Sequence, residues 1–526
     1  MRRHLPFILI LAGTALVRFA ILFLTQTHVT SDEAITGLMA KHISEGRYFP
    51  FYSYGTSYNA SQAWEAYLAV IPFWLFGVGV AALKIPTVIL SLATVTLFYV
   101  MATQLCSVRV ATLGSLVFAL WPGLLRWQFQ PRGYAFYFLF IPALLILFLA
   151  VEKQRPPRFR DLFLFGLLCG ISFWGMELLL ILIVALWIFI LLRRKFSLRG
   201  LGAGLGGFAL GYAPAILWNL THSFRNWHFL FFEKPEAAGF AARFGLRAWR
   251  EIILHEMPKF FSADTVLWYY PQTHWSGCVL YAITLIAIAL CARRSLRWPT
   301  IRGAFSNGFT TNDASGNLLI LLLTGVSFIP YVIAPLRVPG YFLGATFFMS
   351  IMIARSIEHL LTNQQFLLRA GGGALLLGTI VCGLDAIVYS ATHNEIETLT
   401  LSANHRDYEM IRVAGADIDA IKDDLARNQI NAVWATISFV YPLIFETKER
   451  LAASESIFGV DRPVYPPSIP KSEPSEQGRA VFVVETSSPF RREIEAALAQ
   501  KSNAPAQITE HGALTILKQR FASESP

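Results

Sequence analysis

The chain has 526 residues, of which 55% are hydrophobic and only 15% charged, with a mean hydropathy of +0.49 and a formal net charge of +10. Ordinary soluble domains are about 25% charged, so lipid must be the solvent for most of this chain. The basic excess does not point to nucleic acid. Arg and Lys form no basic face; they sit in short clusters between apolar runs, as in cytoplasmic membrane loops.

Arg2 and Arg3 precede a first apolar run that is too long for a signal peptide and meets no small-residue cleavage site. It reads as a retained first helix with its N-terminus inside. Apolar runs predict spans at roughly 5–25, 84–105, 110–128, 134–151, 162–175, 177–192, 200–218, 276–292, 317–335, 341–358 and 370–390. The two in 162–192 are separated by a hairpin break at Trp174, Gly175 and Glu177.

The run 63–79 could also span, and charge arbitrates. If it does not cross, three basic loops share the side of Arg2 and Arg3. They hold Lys153, Arg155, Arg158 and Arg160, then Arg193, Arg194, Lys195 and Arg199, then Arg293, Arg294, Arg297 and Arg302. The run therefore reads as a juxtamembrane helix in the outer interface. Outside the cytoplasm then lie residues 26–83, 129–133, 219–275, the turn around Arg337 and everything after about 391. Loops of such length without structure of their own are rare unless functional, which puts the chemistry on the outer face.

The chain turns polar near His393. Residues 414–428 and 491–500 read as helices and 431–437 and 480–485 as strands, with a Pro-rich loop, RPVYPPSIPKSEP, between the halves. The reading is an α-helical polytopic membrane protein of about eleven transmembrane helices (1–391) with a small extracytoplasmic α/β domain (392–526). Cys106, Cys169, Cys278, Cys291 and Cys382 lie in or beside apolar runs without metal-ligand spacing, so neither a disulfide framework nor a zinc-thiolate site is expected.

Candidate chemistry begins at Thr30-Ser31-Asp32-Glu33, just past the first helix. Ser31 or Asp32 could simply cap the helix that follows. A carboxylate at a lipid-lined surface can equally serve as a general base. Glu65 and Glu177 are further acids near the outer surface; the plainer readings are a wet helix face for Glu65 and a hairpin cap for Glu177. His255-Glu256 lacks a second His at ligand spacing and reads as a solvated helix face, and Trp268, Tyr269, Tyr270 and Trp275 fit an interfacial belt. The sequons at Asn59 and Asn219 read as chance.

In order along residues 1–390, these features resemble the GT-C glycosyltransferases, which include the protein O-mannosyltransferases and the aminoarabinose transferases of lipid A. Asp32-Glu33 is similar to the family's acidic signature, Phe76-Gly77 and Leu83-Lys84-Ile85-Pro86 to its lead into the next span, Arg132-Gly133-Tyr134 to its Arg-x-Tyr, and Arg337-Val338-Pro339-Gly340-Tyr341 to its late Arg-Tyr turn. The resemblance implies a polyprenyl-phosphate-linked sugar donor, an outer-face acceptor (protein, lipid or polysaccharide), and transfer of a hexose or pentose with inversion. It further implies Asp32 as base with Glu33 orienting it or the acceptor, Arg337, Arg132 and Tyr341 at the donor phosphate, and Glu65, Tyr134 and Glu177 at the acceptor or cavity. No cofactor is expected, and a divalent metal is not indicated: Gln130-Pro131-Arg132 stands where some relatives carry an acid. The expected location is a bacterial inner (plasma) membrane. The competing classes are a transporter or flippase of lipid-linked sugars, which would show inverted repeats, and a non-catalytic envelope assembly protein.

Overall fold

The computed structural model describes residues 2–25, 27–154, 157–192, 197–232, 246–262, 274–297, 299–302, 313–333, 341–392, 395–401, 408–454, 480–487, 489–502 and 506–518. In chain order the helices are α1 (Leu5–Leu24), α2 (Ser31–Ser44), α3 (Ala60–Phe76), α4 (Val80–Leu105), α5 (Val108–Ala119), α6 (Pro122–Trp127), α7 (Tyr134–Lys153), α8 (Phe159–Gly175), α9 (Leu180–Leu192), α10 (Leu198–Thr221) and α11 (Arg225–Phe231). Short helical pieces at Leu246–Glu251, Ile252–Glu256 and Met257–Phe260 follow, then α12 (Trp275–Ser295), α13 (Asp313–Ile333), α14 (Thr346–Leu361) and α15 (Phe366–Thr392). The tail contributes β1 (Glu395–Leu401), β2 (Tyr408–Ala414), α16 (Gly415–Arg427), β3 (Ala432–Ala435), α17 (Ile437–Glu446), β4 (Ala452–Ser454), β5 (Ala480–Glu485), α18 (Pro489–Ser502), β6 (Gln507–His511) and β7 (Leu514–Lys518).

Among the described residues, seven helices are long and apolar enough to cross a membrane: α1, α4, α7, α10, α12, α13 over Ser315–Val332, and α15. The protein is thus a polytopic α-helical membrane protein. Val108–Ala119 and Glu177–Leu192 are shorter apolar helices. The single run expected at 110–128 is broken in two because Pro122 cannot continue the hydrogen-bond ladder of α5. The break expected near Glu177 is present: α8 stops at Gly175 and a 3₁₀ turn, Glu177–Leu179, leads into α9.

The chain forms two compact units. The first comprises Met1–Ala20, Ser57–Ser61 and Thr87–Ser390. Its tightest contact is between α8 and α10, where small residues let the backbones approach. A Cβ on Gly166 would stand 2.0 Å from the carbonyl oxygen of Gly204, and one on Gly207 would stand 2.2 Å from that of Phe163. Elsewhere aromatic rings fill the unit, with Phe118 stacked on Phe98 (4.7 Å) and packed against Phe347 (4.5 Å). Buried Arg355 of α14 donates to Asn317 and, at 2.7 Å, to the carbonyl of Leu105, the last residue of α4. A cation suits that helix end.

The second unit comprises Ile21–Thr56, Gln62–Pro86 and Ala391–Pro526, so the tail shares a compact body with the first loop. Its main sheet has the order β4-β3-β5-β7-β6: β4, β3 and β5 are parallel, and β7 and β6 complete it antiparallel. Strand alternation separates two faces. Val481 and Val483 join Ile418, Ile421 and Leu425 of α16 in one core, while Val484 joins Leu498 of α18 and Leu517 in another. The first core runs on into α2 and α3, through Leu38, Met39, Ala66, Ala69 and Phe73. The key side chain is Phe445 of α17. It stacks on Phe73 (6.3 Å) and occupies the place a side chain at Gly37 would need, its ring 2.4 Å from the position of a Cβ there. Residues 439–445 are all buried, so no polar stripe alternates with an apolar one and no periodicity marks them as a helix.

Candidate functional site

In the second unit the acidic pair divides its work. The N-cap of α2 is Thr30, one residue earlier than the capping expected from the sequence, and Glu33 closes a capping box by accepting the Thr30 N–H at 2.7 Å. The other Glu33 oxygen faces Lys84 Nζ at 3.1 Å, with both side chains only 2% exposed. Lys84 also donates to the carbonyl of His28 at 2.8 Å. Glu33 is therefore committed to holding the start of α2 to α4. Asp32 is half-buried in the first turn. Its own carbonyl is fixed from α3 by the Gln62 side chain at 3.0 Å, and Gln62 also donates to Thr36 Oγ1 at 2.9 Å. Glu65, one turn beyond Gln62, is buried rather than on a wet face.

The far side of α2 is held by tail carboxylates. Glu446 accepts from His28 Nδ1 (3.3 Å), the Val29 N–H (3.4 Å) and Lys422 Nζ (2.7 Å). Glu449 accepts from Lys41 and from His42 Nε2 (2.9 Å), whose other ring nitrogen meets Tyr54 OH at 2.8 Å. Burial opposes ionisation of both acids, but the hydrogen bonds and positive charge of these partners outweigh it. Glu446 is held below the usual carboxylate range and Glu449 is lowered to about 2.

The first unit holds the rest of the candidate set. Arg132 is buried, its guanidinium 5.7 Å from the centre of the Trp127 ring and donating to Gln130 Oε1 at 3.2 Å. Tyr134 opens α7 and meets Trp127 edge to face at 4.7 Å. The turn between them is fixed by Gly133, whose φ of +89° suits glycine and whose missing side chain makes room for Asn59. Asn59 donates to the Arg132 carbonyl at 3.1 Å, and its backbone N–H points at both Glu177 oxygens at 3.3 Å. Asn226 donates to the Ser57 carbonyl (2.6 Å) and to Glu177 (3.5 Å). Glu177 thus does more than cap a hairpin: it ties the α8–α9 turn to residues 57–59, and through Asn59 to the turn bearing Arg132. Tyr341 is half-buried. Arg337, Trp268, Tyr269 and Tyr270 lie outside the described residues. His255 is exposed, whereas Glu256 accepts from Tyr331 OH.

Among the described residues, no group of three or more His, Cys, Asp or Glu side chains gathers to hold a metal. Sequence reading placed Lys84 only in the lead into the next span and Asn59 only in a chance sequon, and gave no role to Glu446, Glu449 or Asn226. Lys84 had a readable signal, a lone charge in the first turn or so of an otherwise apolar helix. The others act through contacts distant in sequence.

No protein-family model and no curated protein matches the sequence. Solved structures do match. ArnT from Cupriavidus metallidurans in the apo state superposes with a TM-score of 0.61 at 11% identity, covering 99% of this chain and 98% of that one. The same protein bound to undecaprenyl phosphate gives 0.58 at 12% identity over 99% of each chain. The fold is GT-C-like. A second structure with the GT-C fold, the oligosaccharyltransferase AglB from Archaeoglobus fulgidus with an inhibitory peptide and a dolichol-phosphate, gives 0.53 at 9% identity over 99% of this chain and 75% of that one. The match to ArnT takes in the tail as well as the helices.

Proposed function

We propose that this protein is an inverting glycosyltransferase that moves a hexose or pentose from a polyprenyl-phosphate carrier to an acceptor on the outer face of the membrane. The observation that carries the reading is the likeness to ArnT along virtually the entire chain, including the form bound to undecaprenyl phosphate. Beside it stands a half-buried Asp32 whose neighbour Glu33 is committed to structure. The acceptor oxygen attacks C1 of the sugar, the bond from C1 to the phosphate oxygen breaks, and Asp32 takes the acceptor proton as general base. Negative charge grows on the departing phosphate and is met by arginine, whose planar fork suits phosphate oxygens. Arg132 and Arg337 take that role, with Tyr341 beside the phosphate and Glu65, Tyr134 and Glu177 shaping the acceptor side.

The test uses purified protein in lipid nanodiscs with a panel of synthetic polyprenyl-phosphate hexoses and pentoses. Sugar release, to water or to added acceptors, is followed by mass spectrometry. Asp32→Asn should lower turnover by about 10²–10⁴ while leaving undecaprenyl phosphate affinity intact. Arg132→Ala should weaken both. Near-normal turnover in Asp32→Asn would remove the base assignment. Efficient turnover with a nucleotide sugar and no lipid carrier would end the mechanism.

A further inference from the structure

Two carboxylates at the end of one tail helix reach opposite ends of the helix that carries Asp32. Glu446 closes α17 and takes the segment just before α2, through His28 and the Val29 N–H. Glu449, three residues on, takes Lys41 and His42 in the last turn of α2. Between the two grips, Phe445 sits where Gly37 leaves room in the middle of α2. The turn that aims Glu449 is strained: Lys448 and Glu449 have φ of 56° and 62°, two consecutive side-chain-bearing residues in the left-handed region. Such backbone persists where surrounding contacts hold it, and here the Lys448 and Glu449 N–H groups donate to the carbonyls of Phe445 and Ile444 at the end of α17, which sets the direction in which Glu449 leaves the helix.

The gripped groups are mostly desolvated. His28 is 6% exposed and His42 0%. Exposed ion pairs contribute little, whereas removing one partner of a buried pair leaves an uncompensated group. The N-terminal grip falls on residues 28 and 29, immediately ahead of the turn that presents Asp32. The same segment is held by Lys84 at the His28 carbonyl and by Gln62 at the Asp32 carbonyl. Small displacements of a reacting group cost large factors in rate.

We propose that Glu446 and Glu449 are positioning residues, through which the tail grips α2 at both ends and fixes Asp32. The positioning role rests on the function proposed above; the grip itself does not. The experiment is amide hydrogen exchange on the full chain in nanodiscs at pH 7. Glu446→Gln should speed exchange tenfold or more over residues 28–36 and leave 40–47 unchanged, and Glu449→Gln should do the reverse. Peptides covering β3 and β5 should stay at the wild-type rate. His28→Gln, made on the other partner, repeats the N-terminal reading without altering the tail. Unchanged exchange at both ends overturns the grip. In the sugar-release assay, Glu446→Gln should lower kcat about tenfold or more with undecaprenyl phosphate affinity unchanged. A wild-type kcat alongside faster exchange overturns positioning. If the wild-type protein turns over no polyprenyl-phosphate sugar, the proposed function and the positioning role fall together, and the grip is decided by exchange alone.

Discussion

Lys84→Met tests whether a buried ion pair anchors the start of α2. The pair is 3.1 Å apart with both side chains 2% exposed. Removing one partner of such a pair costs about 3–5 kcal/mol, because the other charge stays buried without compensation. Lys84→Met leaves Glu33 in that state and also loses the hydrogen bond to the His28 carbonyl. Glu33→Gln keeps the acceptor that closes the capping box, since Gln serves at that position, but takes the carboxylate charge away from the buried Lys84 ammonium. The double variant Lys84→Met/Glu33→Gln removes both charges of the pair. It should lose only about 1–2 kcal/mol, most of it the hydrogen bond to His28. The double variant is thus expected to be more stable than either single, with a coupling of about 3 kcal/mol or more. Denaturant titration in micelles, followed by tryptophan fluorescence, reads all four proteins. A Lys84→Met protein within about 1 kcal/mol of wild type, or a double variant no better than the singles, refutes the reasoning.

Two further outcomes follow from contacts described above. Gly207→Val should force α8 and α10 apart, since its Cβ would lie 2.2 Å from the Phe163 carbonyl, and should cost about 1–3 kcal/mol. Gly202→Ala on the same helix, with nothing within 4 Å of its Cβ, should be neutral, and equal melting of the two variants would dismiss the close-approach account. Glu449, lowered from 4.5 to about 2, contributes stability that is fully present above pH 4.5 and is lost as pH falls toward 2. The stability gap between wild type and Glu449→Gln should therefore shrink across that window, and a gap constant from pH 6 to 3 would contradict the linkage.

Much of the fold was legible because the bilayer demands long apolar runs. The spans expected at 5–25, 134–151, 200–218, 276–292 and 370–390 correspond to α1, α7, α10, α12 and α15. In the tail, the helix read at 414–428 and the strand at 480–485 correspond to Gly415–Arg427 and Ala480–Glu485. The run at 110–128 misled because hydropathy does not register the backbone penalty at Pro122. Residues 439–445 were opaque for the opposite reason, since a helical stretch buried throughout has no polar stripe to give its period away. At the site, the acidic pair was visible, but its division of labour was not. That depended on Lys84, some fifty residues downstream, and on tail carboxylates more than four hundred residues away. Asn59 and Asn219, both sequon residues, have structural hydrogen bonds: Asn59 holds the Arg132 turn, and Asn219 bonds within α10 and to Asn226.

The discontinuous second unit sets an order of events at the ribosome. The apolar face of α2 around Gly37, Leu38 and Met39 is covered by α17, yet roughly 390 residues separate Ser44 from Ile437, where α17 begins. At about 5–20 residues per second, that helix waits about 20–80 s for its partner to be made. During that interval its hydrophobic side must lean on lipid or on a chaperone, and the half-made protein is at its most vulnerable to proteolysis. A truncation ahead of the tail would make this transient condition permanent, leaving the nascent first loop uncovered instead of yielding a self-sufficient membrane fragment.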